Sequence, residues 1–313
     1  MKKLFFFAAA ASVMLAACSS DNEEVKVAEK SAIRLSTQSI TGLTRAGKNV
    51  QLTSFDDNEA VSIFFVENVG GTQTPSGTNV TSYTNPLAYT TGASGALTPA
   101  APQFWPQDGN GLFIFGVYPA SAVTSSTAYN ATEISFSVAA DQSAATGYKA
   151  SDLMTGKPTA NNPVARIAEV PMTFTHLLTK IDVNLTAGDG FTDAEMANAV
   201  VSILGTKPTT TFSVQSTEVT GADGTAAPIV AGTGAATSAI IVPQTIAADA
   251  NFIQVTVGGG NYIYKLAAAT TFDAKKCYTY NLTVNKTGLV LTVTTITDWV
   301  SAGDATAGNA TLQ

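Results

Sequence analysis

The sequence predicts an all-β protein, and three observations carry that expectation. Thr supplies 45 of the 313 residues, and a β-branched hydroxyl side chain suits a pleated, half-buried surface better than a helix. Charged residues make up only 12% while hydrophobic ones stay at 45%, so neutral Thr, Ser, Asn and Gly must cover the surface. Period-2 alternation recurs along the chain between Gly-, Pro- and Asn-rich turns. At about 150 residues per domain, the length corresponds to two domains.

The chain opens with Lys2 and Lys3, an apolar stretch over residues 4–15 too short to span a bilayer, and small residues before Cys18. That order reads as a signal peptide over residues 1–17. Leu15-Ala16-Ala17-Cys18 resembles the lipobox of bacterial lipoproteins, which implies cleavage before Cys18 and lipidation of its thiol, palmitate included. The alternative is an ordinary signal peptide with an incidental cysteine. Several acyl chains anchor stably where one binds only marginally. With Cys18 blocked, Cys277 is a lone thiol best read as a small core residue. Residues 18–31, with Asp21, Glu23, Glu24 and Glu29, have no apolar periodicity and read as a flexible acidic tether. The acidic run also resembles the surface-export signal of some outer-membrane lipoproteins, with a solvated spacer as the alternative.

Beyond the tether, Ile134 to Val138, Ile181 to Leu185 and Tyr278 to Val284 alternate apolar and polar residues, giving each segment one core face and one wet face. Continuous apolar runs at residues 61–66, 112–118 and 289–293 suit central strands of a sandwich. Segments 252–257 and 262–266 flank Gly258-Gly259-Gly260-Asn261 and predict a hairpin. Thr192-Asp193-Ala194-Glu195 has capping-box spacing for a helix running toward Ala199, in competition with a strand over 199–204. Residues 70–81 and 220–237 read as long loops. Pro- and Asn-rich sequence before Val170-Pro171 places a boundary there, giving β-rich domains over 32–171 and 172–313.

Chemistry is sparse. Sixteen basic against 23 acidic residues give a net charge of −7, which disfavours nucleic acid as a partner. One His and two Cys cannot build a His- or Cys-rich zinc site or a CxxC pair, and no cofactor motif is present. There is no GxSxG elbow, Walker loop or HExxH. His176 sits in an apolar stretch and reads as structural. Asp56-Asp57 with Glu59 is either a carboxylate or calcium set or a solvated turn, with the turn favoured, as it is for Asp108-Gly109-Asn110-Gly111. The chain is expected not to be an enzyme.

The lipobox, Thr44-Arg45-Ala46, Phe113-Ile114-Phe115-Gly116-Val117-Tyr118-Pro119, Asp152-Leu153-Met154-Thr155-Gly156, Phe174-Thr175-His176-Leu177-Leu178-Thr179-Lys180-Ile181 and Cys277-Tyr278 through Asp298-Trp299 together resemble the fimbrillin family, the subunits of type V pili. The resemblance spans nearly the whole chain in order. It implies two tandem transthyretin-like β-sandwich domains with Greek-key-type connections. It also implies a surface-exposed outer-membrane lipoprotein precursor, a fimbrium as destination, and other fimbrial subunits as partners in a polymer that supports adhesion. An arginine-specific protease cutting between Arg45 and Ala46 would release the first strand, whose candidate inward side chains are Ile33, Leu35, Ile40 and Leu43, and a strand from another subunit would take its place. Segment 289–293 and the tail 302–313 are the candidate donors, although the tail carries few large side chains. A tip or anchor subunit, or a non-polymerising surface adhesin for a host glycan or protein, shares the same signal and sandwiches.

Overall fold

The structure is a computed structural model and describes residues 30–37, 55–71, 74–75, 83, 85–299 and 309–310. In chain order its strands are β1 (Leu35–Thr37), β2 (Ala60–Glu67), β3 (Leu87–Thr91), β4 (Ala96–Pro99), β5 (Leu112–Tyr118), β6 (Ile134–Ser137), β7 (Met154–Pro158), β8 (Val170–His176), β9 (Thr179–Ala187) and β10 (Val200–Thr206). They continue with β11 (Thr209–Phe212), β12 (Ala227–Thr233), β13 (Ala236–Ile241), β14 (Gln244–Ile246), β15 (Asn251–Val257), β16 (Gly260–Lys265), β17 (Thr270–Phe272), β18 (Lys276–Asn285), β19 (Gly288–Asp298) and β20 (Asn309–Ala310). Short helices α1 (Ala145–Ala150) and α2 (Asp193–Met196) interrupt them. The chain is all-β, in keeping with its Thr-rich, charge-poor composition.

The first strands close into a ring in the order β1-β4-β3-β2-β5-β7-β8. Every contact in the ring is antiparallel except the β1–β8 pair that closes it. The remaining strands form a four-stranded sheet, β12-β10-β15-β16, a five-stranded sheet, β13-β9-β18-β19-β20, and two ribbons, β6–β11 and β14–β17. The ring and the two larger sheets share an internal boundary at β2 and β5. On β2, Val61, Ile63 and Phe65 fill the ring, while Phe64 and Val66 join the core of the two sheets. On β5, Leu112 and Ile114 face the ring and Phe113, Phe115 and Val117 face outward to that second core. Both faces of these strands are therefore dry, which accounts for their unbroken apolar runs.

The run at 289–293 has a different environment. It lies in the first half of β19, ahead of Ile296 and Thr297 where β20 pairs, and Val290 and Val293 are 55% and 44% exposed. The strand lies inside its sheet, between β18 and β20, but only Leu289 and Leu291 lean against the core and the other face of the run is wet. Half of the expected loop over 220–237 is strand, β12 and the start of β13, because Ile229 and Ala231 are buried in the core, while residues 220–226 lie in no named strand. At 192–199 both competing expectations are realised in part. Thr192 and Glu195 form the reciprocal capping box, but only one turn of helix follows before β10 takes over. The Gly258-Gly259 hairpin forms as expected, with φ of 57° and 79° that admit glycine readily, joining β15 to β16.

Candidate strand-exchange slot

The described part of the expected first strand lies in the ring wall. Leu35 and Ser36 pair antiparallel with Leu97 and Ala96, while Leu35, Ser36 and Thr37 pair in parallel with Val170, Pro171 and Met172. Just before β1, the Ile33 amide donates to the Gln103 carbonyl at 2.7 Å and the Trp105 amide donates to the Ser31 carbonyl at 2.9 Å. The Val170 amide reaches the Arg34 carbonyl at 2.9 Å. Alternation turns Ile33 and Leu35 inward at 4% and 3% exposure. Two such side chains contribute about 3–6 kcal/mol of gross burial. Ordering costs about 1–2 kcal/mol for each backbone residue, so for so short a segment the two effects are of similar size. Thr37, the last described residue of the strand, meets Gly95, to whose carbonyl its hydroxyl donates at 3.1 Å. Gly95 has φ +78°, and a Cβ there would lie 2.2 Å from the Thr37 carbonyl oxygen. Cys18, Ile40, Leu43, Arg45 and Ala46 lie outside the described residues.

Where the description resumes, the chain is pinned. Phe55 sits edge-on to Tyr118 and Phe174, with centroids at 5.2 and 5.0 Å. Lys149 lies 2.7 Å from Asp56 Oδ2 and 2.5 Å from Glu59 Oε1. Partial burial works against the ammonium charge, but the two carboxylates outweigh it and raise the Lys149 pKa above its ordinary value. Asp56 and Glu59 are thus spent on a lysine. The ring of Phe174 fits only because its neighbours on β5 and β7 are Gly116 and Gly156, where a Cβ would come within 2.5 and 2.6 Å of it.

Three of the segments that carry the family resemblance meet at one buried point. His176 Nδ1 lies 2.6 Å from Asp152 Oδ1, and its ring stacks on Trp299 at 4.0 Å and 11°. The Trp299 amide donates to the Lys275 carbonyl at 2.7 Å, and Lys276 pairs with Asp298. Next to them the Cys277 thiol donates to Asp182 Oδ2 at 3.2 Å, and burial together with that carboxylate pushes its pKa up to about 12. Because His176 and Asp152 are fully buried, no substrate can reach the pair, and it serves to join the ring to the five-stranded sheet. Among the described residues, no three His, Cys, Asp or Glu side chains gather in a metal-binding cluster.

Sequence reasoning missed three side-chain amides that stand in for absent strands. Asn85 bonds both backbone groups of Phe65, Asn162 both of Ile114, and Gln142 both of Ile240, at 2.7–3.0 Å. Each satisfies strand positions whose ladder is missing on one side. For two of them a signal was available, since Asn85 and Asn162 each precede a proline, which has no amide to donate to a ladder.

A solved structure of a candidate cell adhesion protein from Bacteroides uniformis matches with a TM-score of 0.65 at 23% identity, covering 87% of this chain and 98% of the other. One from Bacteroides ovatus, of the same description, matches with a TM-score of 0.65 at 16% identity and the same coverages. These likenesses are of fold. No curated protein matches the sequence. The family model described as fimbrillin-like matches residues 44–299, most of the chain, and the protein belongs to that family.

Proposed function

We propose that the protein is a structural subunit of cell-surface fimbriae of the type V kind, exported as an outer-membrane lipoprotein through Cys18, trimmed after Arg45 and assembled by donor-strand exchange. Membership of the fimbrillin-like family supports a fimbrial subunit at the cell surface. The observation that carries the finer reading is β1, a three-residue strand that closes the ring alone, between β4 and β8, and fills it with Ile33 and Leu35. Its loss would leave two unpaired strand edges beside an apolar gap, a state that favours pairing with a strand from another chain. While the chain is uncut, the tethered strand competes at high effective concentration and keeps the precursor monomeric. Phe55 and the Lys149 clasp hold the chain beyond the cut, which confines the opening to the slot.

The test is treatment of the purified chain with an arginine-specific protease. The chain has three arginines, Arg34, Arg45 and Arg166. Mass spectrometry should find the first cut after Arg45, followed by SDS-resistant ladders, and Arg45→Ala should remain a folded monomer. Polymerisation of Arg45→Ala as readily as wild type would overturn the proposal.

A further inference from the structure

A cleft of about 420 Å³ opens on the outside of the ring, lined by Tyr83, Asn85, Ser126, Thr127, Tyr129 and Asn130 among others. We propose that this cleft binds a neutral saccharide unit. Its volume lies in the usual range for small-ligand sites, about 300–1,000 Å³. Its described lining consists mainly of amides and hydroxyls, groups that donate and accept as sugar hydroxyls do, with two tyrosine rings and no formally charged side chain among the described residues.

The wall is built before any ligand arrives. Asn85 is fixed by its paired bonds to Phe65, which use only part of its hydrogen-bonding capacity. Tyr83 packs on Phe65 at 5.2 Å between centroids and donates its hydroxyl to the Phe104 carbonyl at 2.9 Å. Thr127 is braced by Thr124, whose amide donates to the Thr127 hydroxyl at 2.9 Å. The Tyr129 carbonyl accepts from Gln215 at 3.4 Å.

Two lining groups have no hydrogen-bond partner among the described residues. The body of Tyr129 is buried, but its hydroxyl reaches solvent and bonds no described residue. A sugar hydroxyl can take the place of the water that solvates it. Asn130 is exposed, and its side-chain amide bonds no described residue. Charge narrows the ligand class further. Burial raises the Tyr83 hydroxyl pKa, with Glu67 and Asp108 adding to the rise, so the field at that wall is negative. An acidic sugar would meet repulsion there.

The experiment uses the uncut full-length chain, so its outcome does not depend on strand exchange. Saturation-transfer NMR titrations with lactose, cellobiose and mannobiose should give saturable binding for at least one of them, and 3′-sialyllactose should bind about tenfold more weakly or not at all. Tyr129→Phe and Asn130→Ala should each weaken binding severalfold, about tenfold where one hydrogen bond worth ~1.4 kcal/mol is lost, without lowering the melting temperature. Saturable binding to none of the neutral sugars, undiminished binding in both variants, or equal binding of 3′-sialyllactose would overturn the proposal.

Discussion

Leu35→Ala is the most direct probe of whether β1 is a separable element. Leu35 is 3% exposed and sits in register with Leu97 on one side and Val170 on the other, so truncation leaves a hole between two neighbours fixed in their own strands. A buried Leu→Ala change costs about 2–5 kcal/mol. Because the described ladder of β1 is three residues long, that loss should fall on local opening of the slot rather than on global unfolding. At about 1.4 kcal/mol per decade, the open population should rise roughly 30-fold to several thousandfold. Hydrogen exchange reads this residue by residue. The amides of Ile33, Trp105 and Val170, which donate across the slot, should lose protection by that factor, while amides of the central β9–β18 pair stay unchanged. Unchanged protection at Trp105 and Val170 would refute the reasoning, and so would an equal loss in both cores, which would make β1 inseparable from the whole.

Two further outcomes follow from the buried junction. His176→Phe keeps an aromatic ring beside Trp299 but leaves the Asp152 carboxylate buried without its partner, so urea unfolding should show a loss of about 3–5 kcal/mol, most of it recovered by adding Asp152→Leu. Cys277 should resist iodoacetamide at pH 8 in the folded protein and react once unfolded, because burial and Asp182 hold its pKa at about 12 against 9.0 for an ordinary thiol. The same rise means that the unfolded chain ionises first. The contribution of this thiol to stability is therefore complete below pH 9 and is lost as pH climbs from 9 toward 12, which Cys277→Ser should flatten in a stability–pH series.

Much of this architecture can be read from local pattern, and the exceptions have physical causes. The runs at 61–66 and 112–118 identify strands dry on both sides because each strand serves two cores at once, and the alternation of the segments around Ile181 and Tyr278 marks one wet face. The run at 289–293 is equally apolar yet lies in a strand whose outer face is wet, since sequence records a side chain's polarity but not whether another layer covers it. Thr220 to Thr237 reads as loop by composition, yet Ile229 and Ala231 fold into β12 because β10 is there to pair with them. His176 is recognisable as structural from its apolar flanks, whereas its partners Asp152 and Trp299, far away in sequence, become visible only when β8 and β19 are in place. The slot is legible to the same degree. The alternation of Ile33 and Leu35 marks a strand, but nothing in the segment announces that it closes a ring.

The way β1 closes that ring has a consequence for polarity. It runs antiparallel to β4 and parallel to β8, so the two strands flanking it point in opposite directions. Any strand laid between them, whichever way it runs, forms one ladder of each kind, and the main chain alone sets no heading. In most sheets a reversed strand forfeits its preferred hydrogen-bond pattern, but here reversal merely exchanges the two. Heading must instead be written in side chains. Large aliphatic groups at the Ile33 and Leu35 positions meet the apolar interior, while at Thr37 the backbone passes so close to Gly95 that a Cβ on that glycine would lie 2.2 Å from the Thr37 carbonyl oxygen. A donor segment whose large side chains fall on those two positions in one sense only would enter in that sense, and one with a symmetric pattern would enter in both.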